Sequence, residues 1–528
     1  MRLAALLCIV LAPMATQAQE SSAPAAASPT VWASMQQKVE SSFAYVNDHL
    51  AKVFFFDVLF GYGGSVNVEI DGASKTIERT FPAVVFVLVV GGVFFTFRYG
   101  WVNIRLFRHA LDVVRGHYDH PDHEGEISHF KALTSALSAT IGLGNIAGVA
   151  VAISQGGPGA VFWMWMTAIF GMSMKFSCCT LAQLHRRIKP NGTVLGGPMI
   201  YMAEGLPNVF GPLILIAKPM AVLFATLTIF ASFGGGNLFQ VNQTYSLFEQ
   251  QFLGGDARPL YAWVVGIVLA IPVALVILGG IRRIGEVTSR MVPMMCVFYM
   301  FVCFIIVLLN LAHIPGTFAH IFSEAFSAQA LYGGFLGVMV AGMKRAAFSN
   351  EAGIGSAAIA HAAAKTDEPV REGVVAMLGP FIDTIMVCTM TALAILVTDA
   401  HIKGAHLEGI EITALAFAQF GTFLPFILFA AVFVFAFSTI ISWGYYGERA
   451  SEYLFGPIGI VPYRVVYVLV VVIGPVLSLK QVVNFADLML LGMAFPNIFA
   501  MLFLSGEVRA LTKDYVRRLK SGEMKRYA

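Results

Sequence analysis

Two stretches decide how this chain is read: Ala132-Leu-Thr-Ser-Ala-Leu-Ser-Ala-Thr-Ile-Gly-Leu-Gly-Asn-Ile-Ala-Gly-Val-Ala150 and Met343-Lys-Arg-Ala-Ala-Phe-Ser-Asn-Glu-Ala-Gly-Ile-Gly-Ser356. Each lies in an apolar run, yet each carries glycines and an Asn or Ser where a spanning helix is expected to be apolar. Glycine in a helix interior costs about 1 kcal/mol relative to alanine, and unpaired backbone groups cannot sit against lipid. The breaks therefore face protein or a polar cavity. Gly142-Leu143-Gly144-Asn145 also matches Gly353-Ile354-Gly355-Ser356, and an odd number of spans between them sets the two copies in opposite orientations, which is the trace of an inverted repeat. A broken helix exposes N–H groups at one new end, which suit an anion, and C=O groups at the other, which suit a cation. A zwitterionic amino acid carries both charges and a sodium ion needs only oxygens, so the pattern points to a coupled solute carrier. Small residues also let helices pack closely in membranes, and Gly148, Gly156 and Gly157 need mean no more than that.

The rest of the chain agrees with a membrane setting. Of 528 residues, 57% are hydrophobic and 12% charged, with a mean hydropathy of +0.74. Soluble chains carry roughly 25% charged residues, so a large apolar surface must face lipid. With 34 basic and 31 acidic residues, the charge balance gives no reason to expect nucleic acid as a partner. The six cysteines form neither a CxxC pair nor a disulfide framework.

Eleven apolar segments follow: Phe81–Phe97, Ala132–Ser154, Ala160–Leu184, Met220–Leu247, Leu260–Leu278, Met291–Leu311, Gly334–Ala363, Val374–Val397, Leu424–Tyr446, Pro462–Leu479 and Val483–Leu504. The expected class is an all-α polytopic membrane protein. Ahead of these segments, Arg2, the run Leu3 to Leu11 and the small residues near Ala18 read as a secretory signal over 1–18. Residues 19–80 read as an extracytoplasmic cap, with helix-like spacing from Val31 to Phe60 and a hairpin at Asp71-Gly72. An outside N-terminus and an odd span count put the C-terminus inside. The loops then expected inside carry Arg98, Arg105, Arg108, Arg115 and Lys131, then Arg186, Arg187 and Lys189, then Arg282, Arg283 and Arg290, then Lys365, Arg371, Arg449 and Arg464. Outer loops offer little beyond Arg258, Lys403 and Lys480. This asymmetry fits the positive-inside rule, a basic cytoplasmic tail over 505–528, and a multi-pass protein of the inner (plasma) membrane.

At these residues the chain resembles a known family. The run Ser135 to Ala150, Gly156-Gly-Pro-Gly-Ala-Val-Phe-Trp-Met-Trp165, Phe348-Ser-Asn-Glu-Ala-Gly-Ile-Gly-Ser356, Pro380-Phe-Ile-Asp-Thr384 and Phe437-Ser-Thr-Ile-Ile-Ser-Trp-Gly-Tyr-Tyr-Gly-Glu448 resemble the signature of the alanine or glycine:cation symporter family. The likeness runs from about Phe81 to Leu504. It implies a leucine-transporter-type fold, with a first five-helix repeat over 132–311, an inverted second repeat over 334–504, and 81–97 as a peripheral helix. The implied activity is import of alanine, glycine or a similar small amino acid with sodium, by alternating access. No covalent chemistry and no cofactor other than the coupling ion are implied.

On this basis the substrate carboxylate is expected at the backbone of Gly142, Leu143, Gly144 and Asn145, where Asn145 either touches substrate or caps the outer half-helix. Phe348, Ser349 and Asn350 are expected to face the ammonium or side chain, although Phe348 also suits plain core. Gln240, beside Asn237 and Gln243, is favoured by the resemblance as a substrate contact; the alternative is pairing between helices. Trp443 is either a lid or floor to the pocket or an interface anchor. The fold type implies a sodium site at Ser138, Ile141, Ser438 and Thr439, whose hydroxyls could otherwise bond back to their own helices. Glu351 and Asp383 are either coupling charges or structural partners of Lys344 and Arg345. His117, His120, His123 and His129, among acidic neighbours, fit no zinc spacing and read as a solvated loop. Proton coupling stays open. A channel is disfavoured by the paired breaks, and an enzyme by the absence of HExxH, GxSxG and GxxxxGK[ST] strings.

Overall fold

The computed structural model describes residues 31–54, 56–58, 65–70, 73–78, 81–120, 122–209, 211, 214–254, 259–277, 280–327, 334–421 and 423–527. The expected signal segment and the Asp71-Gly72 turn lie outside them. The principal elements are helix α1 (Val31–Phe54), strands β1 (Ser65–Ile70) and β2 (Ala73–Glu78), and helices α2 (Ala83–Arg98), α3 (His129–Thr140), α4 (Ala147–Gly156), α5 (Ala160–Leu184), α6 (Ile214–Phe233), α7 (Phe239–Phe252), α8 (Pro259–Ile277) and α9 (Gly280–Leu309). After these come α10 (Gly334–Asn350), α11 (Ala357–His361), α12 (Pro369–Ala376), α13 (Thr389–Val397), α14 (Leu424–Phe455), α15 (Ile460–Ile473), α16 (Leu479–Gly492) and α17 (Ala494–Ser521).

Six helical runs among the described residues are long and apolar enough to cross a membrane: Ile214–Phe252, Pro259–Ile277, Ile281–Leu309, Pro369–Val397, Leu424–Val476 and Leu479–Ser521. A seventh is the pair His129–Thr140 and Leu143–Gly156, bent by 60°. The first of the two quoted stretches is thus a helix broken near its middle. Lipid-facing positions are apolar, as at Ile271, Leu275, Val297 and Phe301, all exposed on their helices. Exposed apolar side chains in such number mark a membrane-facing or docking surface.

Helices α3, α9 and α14 pack on one another; α4 lies against α10, and α10 against α5. The two broken helices therefore run side by side through the centre. Gly156 belongs to that packing, since a Cβ there would sit 2.9 Å from the Ala341 Cβ. Residues expected on the cytoplasmic side meet at one end of the molecule. Arg518 forks onto Glu368 at 2.5 and 2.9 Å, Arg526 reaches Asp112 at 3.1 Å, and the Tyr527 N–H donates to the His117 carbonyl at 2.8 Å.

At the N-terminal end, α1 and the antiparallel pair β1–β2 match the periodicity of the sequence, with Val66 opposite Ile77 and Val68 opposite Lys75. Helix α1 lies along α16: Gln36 donates to the Val476 carbonyl at 3.0 Å, Asn47 to Gln481 Oε1 at 2.8 Å, and Phe43 meets Phe485 edge-on.

Candidate substrate and cation site

The first break opens where Ile141 leaves helical geometry and Gly142 becomes extended, followed by one tight turn over Leu143–Asn145 before α4 begins. The freed donors find partners. Gly142 N–H bonds to Asn145 Oδ1 at 3.0 Å, and Leu143 N–H bonds to Gln240 Oε1 at 2.9 Å. Gln240 anchors its other end by donating to the Gly235 carbonyl at 2.9 Å. It projects from α7 just after a π-helical segment, Gly234–Leu238, and such wide turns recur at functional sites. Asn237 and Gln243 do not join it: Asn237 donates to the Tyr467 carbonyl and Gln243 accepts from the Ile410 N–H.

The second break begins at the end of α10. Glu351 is left-handed (φ 56°), as are Gly353 (φ 81°) and Gly355 (φ 98°). A glutamate in that region is strained by about 1–2 kcal/mol, and such strain persists where the surroundings over-determine it. The carbonyls freed here are also bonded. Lys175 Nζ donates to the Asn350 carbonyl at 2.7 Å, a buried cation at a helix C-terminus, and Asn497 donates to the Gly353 carbonyl at 2.8 Å. Neither Lys175 nor Asn497 was anticipated from the sequence. An ionisable residue inside the apolar run Ala160–Leu184 was the available signal.

Asp383 joins the two breaks. It sits on a second π-helical segment, Phe381–Cys388, and is fully buried. Asn145 Nδ2 reaches its Oδ1 at 2.7 Å, while Ser349 Oγ and Thr384 Oγ1 donate to its Oδ2 at 2.9 and 2.7 Å. Asn350 Nδ2 donates to Thr384 Oγ1 at 3.0 Å. Asn145 thus both caps the tight turn and links it to Asp383.

Of the two alternatives for Asp383 and Glu351, the structural pairing with Lys344 and Arg345 is not what forms. Arg345 makes a close ion pair with Asp487 of α16, and Lys344 lies 3.6 Å from the same carboxylate. Six residues are about 1.7 helical turns, so Glu351 lies well round from Arg345, and its backbone has left the helix. Its carboxylate accepts from Ser356 Oγ instead and lies near Lys175 and Trp443.

Phe348 stands between the breaks: a Cβ on Gly144 would be 3.4 Å from its ring, one on Gly235 would be 3.5 Å away, and Phe239 meets it edge-on at 5.1 Å. Trp443 is buried, not an interface anchor. It packs so closely on Gly236 that a Cβ there would fall 2.3 Å from the Trp443 Cβ.

The four residues expected at the cation site converge on the contact between α3 and α14. Ser138 Oγ donates to the Ser438 carbonyl at 2.7 Å, and Thr439 Oγ1 donates back to the Ser138 carbonyl at 3.0 Å. These are bonds across helices, not back-bonds, although Ser438 Oγ does turn to its own Phe435 carbonyl. Ile141 lies at the break beside Gly142, whose Cβ position is 2.3 Å from Thr439 Oγ1. The donor set is uncharged oxygen, which suits a hard monovalent cation.

One expectation fails away from the breaks. His129 is not in a solvated loop: it is buried and bonded to Glu372.

Two discontinuous helices meeting side by side at one buried polar centre are a feature of membrane carriers. The comparisons agree. Residues 66–528 match the sodium:alanine symporter family. Sodium/alanine symporter AgcS of Methanococcus maripaludis is 44% identical over 82% of this chain and 94% of that protein; amino-acid carrier protein AlsT of Bacillus subtilis is 35% identical over 83% and 90%. The solved structure of MhsT with L-phenylalanine aligns with a TM-score of 0.50 at 13% identity, covering 74% of this chain and 98% of that one, and shares the fold. The chain belongs to the sodium:alanine symporter family, whose members are carriers and not enzymes, and is a cation-coupled amino acid symporter of the membrane.

Proposed function

We propose that this carrier imports alanine or glycine with sodium by alternating access across the inner (plasma) membrane. It does so through eleven spans, arranged as five plus an inverted five behind one peripheral helix, with the N-terminus outside and the C-terminus inside. The observation that carries the reading is the meeting of the two breaks with Gln240 and Asp383 at one buried centre. The substrate carboxylate takes the amides of Gly142 to Asn145, displacing Gln240 Oε1 from the Leu143 N–H so that Gln240 turns its carboxamide to the substrate. Phe348, Ser349 and Asn350 line the side toward the second break, and Trp443 limits side-chain volume. Sodium, the coupling ion, takes oxygens of Ser138, Ile141, Ser438 and Thr439. Asp383 holds the two breaks in register, and Glu351 keeps the second one open.

A relative named a probable sodium/glutamine symporter, at 35% identity, supports sodium as the ion while leaving side-chain size to local residues. Here Trp443 against Gly236 leaves little room, which favours alanine or glycine. Proton coupling is the second reading, favoured by the buried carboxyl groups of Asp383 and Glu351.

The test is labelled alanine uptake into proteoliposomes under an inward sodium gradient, with choline and proton-gradient controls. Uptake above the external level is expected only with sodium; equal uptake without an ion gradient defeats symport, and uptake driven by the proton gradient alone installs the second reading. In the same assay Thr439→Ala should raise the sodium concentration for half-maximal uptake roughly tenfold, the effect of losing about 1.4 kcal/mol of ligation, with the maximal rate reached at high sodium. An unchanged sodium dependence removes Thr439 from the site.

A further inference from the structure

Three buried titratable side chains meet at the ends of the broken helices remote from the substrate centre. Glu372 of α12 bonds through Oε1 to Nδ1 of His361, the last residue of α11, at 2.5 Å, and through Oε2 to Nδ1 of His129, the first residue of α3. All three are buried. The backbone beside them is stitched as well: the Lys365 N–H donates to the Ile127 carbonyl and the Glu126 N–H to the Ala363 carbonyl, each at 2.8 Å. Arg186 gathers the carbonyls of Glu124, Ala362, Ala364 and Thr366 at 2.5 to 3.1 Å. The segment entering the first broken helix and the segment leaving the second are thus fastened to each other.

This fastening has a definite response to protons. Both Nδ1 atoms are engaged on the carboxylate, so an added proton goes to an Nε2 directly, or to the carboxyl group, which must then donate to one Nδ1 whose ring carries its own proton on Nε2. Among the described residues, both Nε2 atoms are buried without a hydrogen-bond partner, and a charged donor left so is costly. The added charge also faces Arg186 and Arg371. Asp119, 3.9 Å from His129 Nε2 and 42% exposed, opposes this from the preceding loop. His123, with His120 beside it, and Cys179 are further titratable groups nearby, and Glu124 and Asp367 face Arg186. Burial already holds the His123 imidazole below its ordinary range, against the pull of Asp367. Once the ends part and water enters, the added proton finds solvent partners and the cost of a buried unpartnered donor disappears. Protons therefore bind the parted form better, and acidification shifts the balance toward it.

We propose that His129, Glu372 and His361 form a proton-binding site that fastens the ends of the two broken helices while unprotonated and lets them part on proton uptake, making transport sensitive to pH at that face. The proposal rests on the carrier reading only in that these ends must part for passage.

The test uses the purified full chain in detergent, with Cys8→Ser to remove one thiol. The other native cysteines are buried. Phe130 and Lys365 are replaced by Cys and spin-labelled, and their distance distribution is recorded from pH 8 to pH 6 without sodium or amino acid. A longer-distance population should grow on acidification, by up to about tenfold per pH unit for each proton linked. The double substitution His129→Asn with His361→Asn keeps donors toward Glu372 but removes both imidazoles, leaving Glu372 as the one titratable member of the site, and should flatten the response. A parent protein that shows no pH response, or a double variant that keeps it, overturns the proposal. Should the double variant not fold, Glu372→Gln serves: it weakens the shared acceptor, and the longer population should already be present at pH 8; a short distance there at every pH counts against the site. Because the readout needs neither ion nor substrate, it stands apart from the uptake assay, and either can fail alone.

Discussion

Asp383→Ala is expected to abolish sodium-driven alanine uptake and to lower stability by about 3 kcal/mol. The carboxylate accepts from Asn145, Ser349 and Thr384, residues on the two breaks and on its own helix. Removing it leaves buried donors without an acceptor, at roughly 1–3 kcal/mol each where they cannot turn elsewhere. Ser349 and Thr384 can rotate their hydroxyls, and Asn145 keeps the Asp383 backbone carbonyl at 3.2 Å, so the total stays well below three full penalties. The functional loss is larger than the stability loss, because the register between the breaks is set here. Asp383→Asn should be intermediate in stability and still inactive, since its amide presents a donor to donors. Initial uptake rates and the thermal unfolding midpoint in detergent check both statements; an Asp383→Ala carrier with normal uptake would remove the carboxylate from the mechanism.

Gly142→Ala should reduce uptake by about a hundredfold with little change in the amount of folded protein. The new methyl would lie 2.3 Å from Thr439 Oγ1 and 2.9 Å from Gln240 Oε1, so one carbon displaces a proposed sodium ligand and a proposed substrate ligand together. Misplacement of such groups by about 1 Å costs on the order of 10²-fold. Gly148→Ala is the matched control, since its Cβ would meet only the Leu143 carbonyl, at 3.9 Å. It should transport like the parent. Equal activity in both variants would mean that the space at Gly142 is not used.

What the sequence made legible was the interruption, not its partners. Gly142 to Asn145 and Phe348 to Gly355 stand out because polar and flexible residues in an apolar run have no place against lipid, and both are where the helices break. Gln240 and Asp383 were visible for the same reason. The partner of Arg345 was not: proximity along the chain suggested Glu351, while the geometry of a helix turns Arg345 toward Asp487 on α16. The bond from Lys175 to the Asn350 carbonyl and the joining of His129 to His361 through Glu372 span 175 and more than 200 positions respectively, and no local pattern encodes such meetings. The loop reading of the histidines failed at His129 because hydrophilic neighbours in sequence are not neighbours in space.

The bond between Gln240 Oε1 and the Leu143 N–H bears on what recognition measures. If a substrate carboxylate is to reach that amide, it does so by exchange: one oxygen leaves and another arrives, and the tally of hydrogen bonds stays level. What the exchange gains is charge, because a bond to an ionised acceptor contributes about 1.5–3 kcal/mol against 0.5–1.5 for a neutral one. The resident carboxamide thereby acts as a reference standard, which a neutral amide ligand can only equal and a carboxylate surpasses.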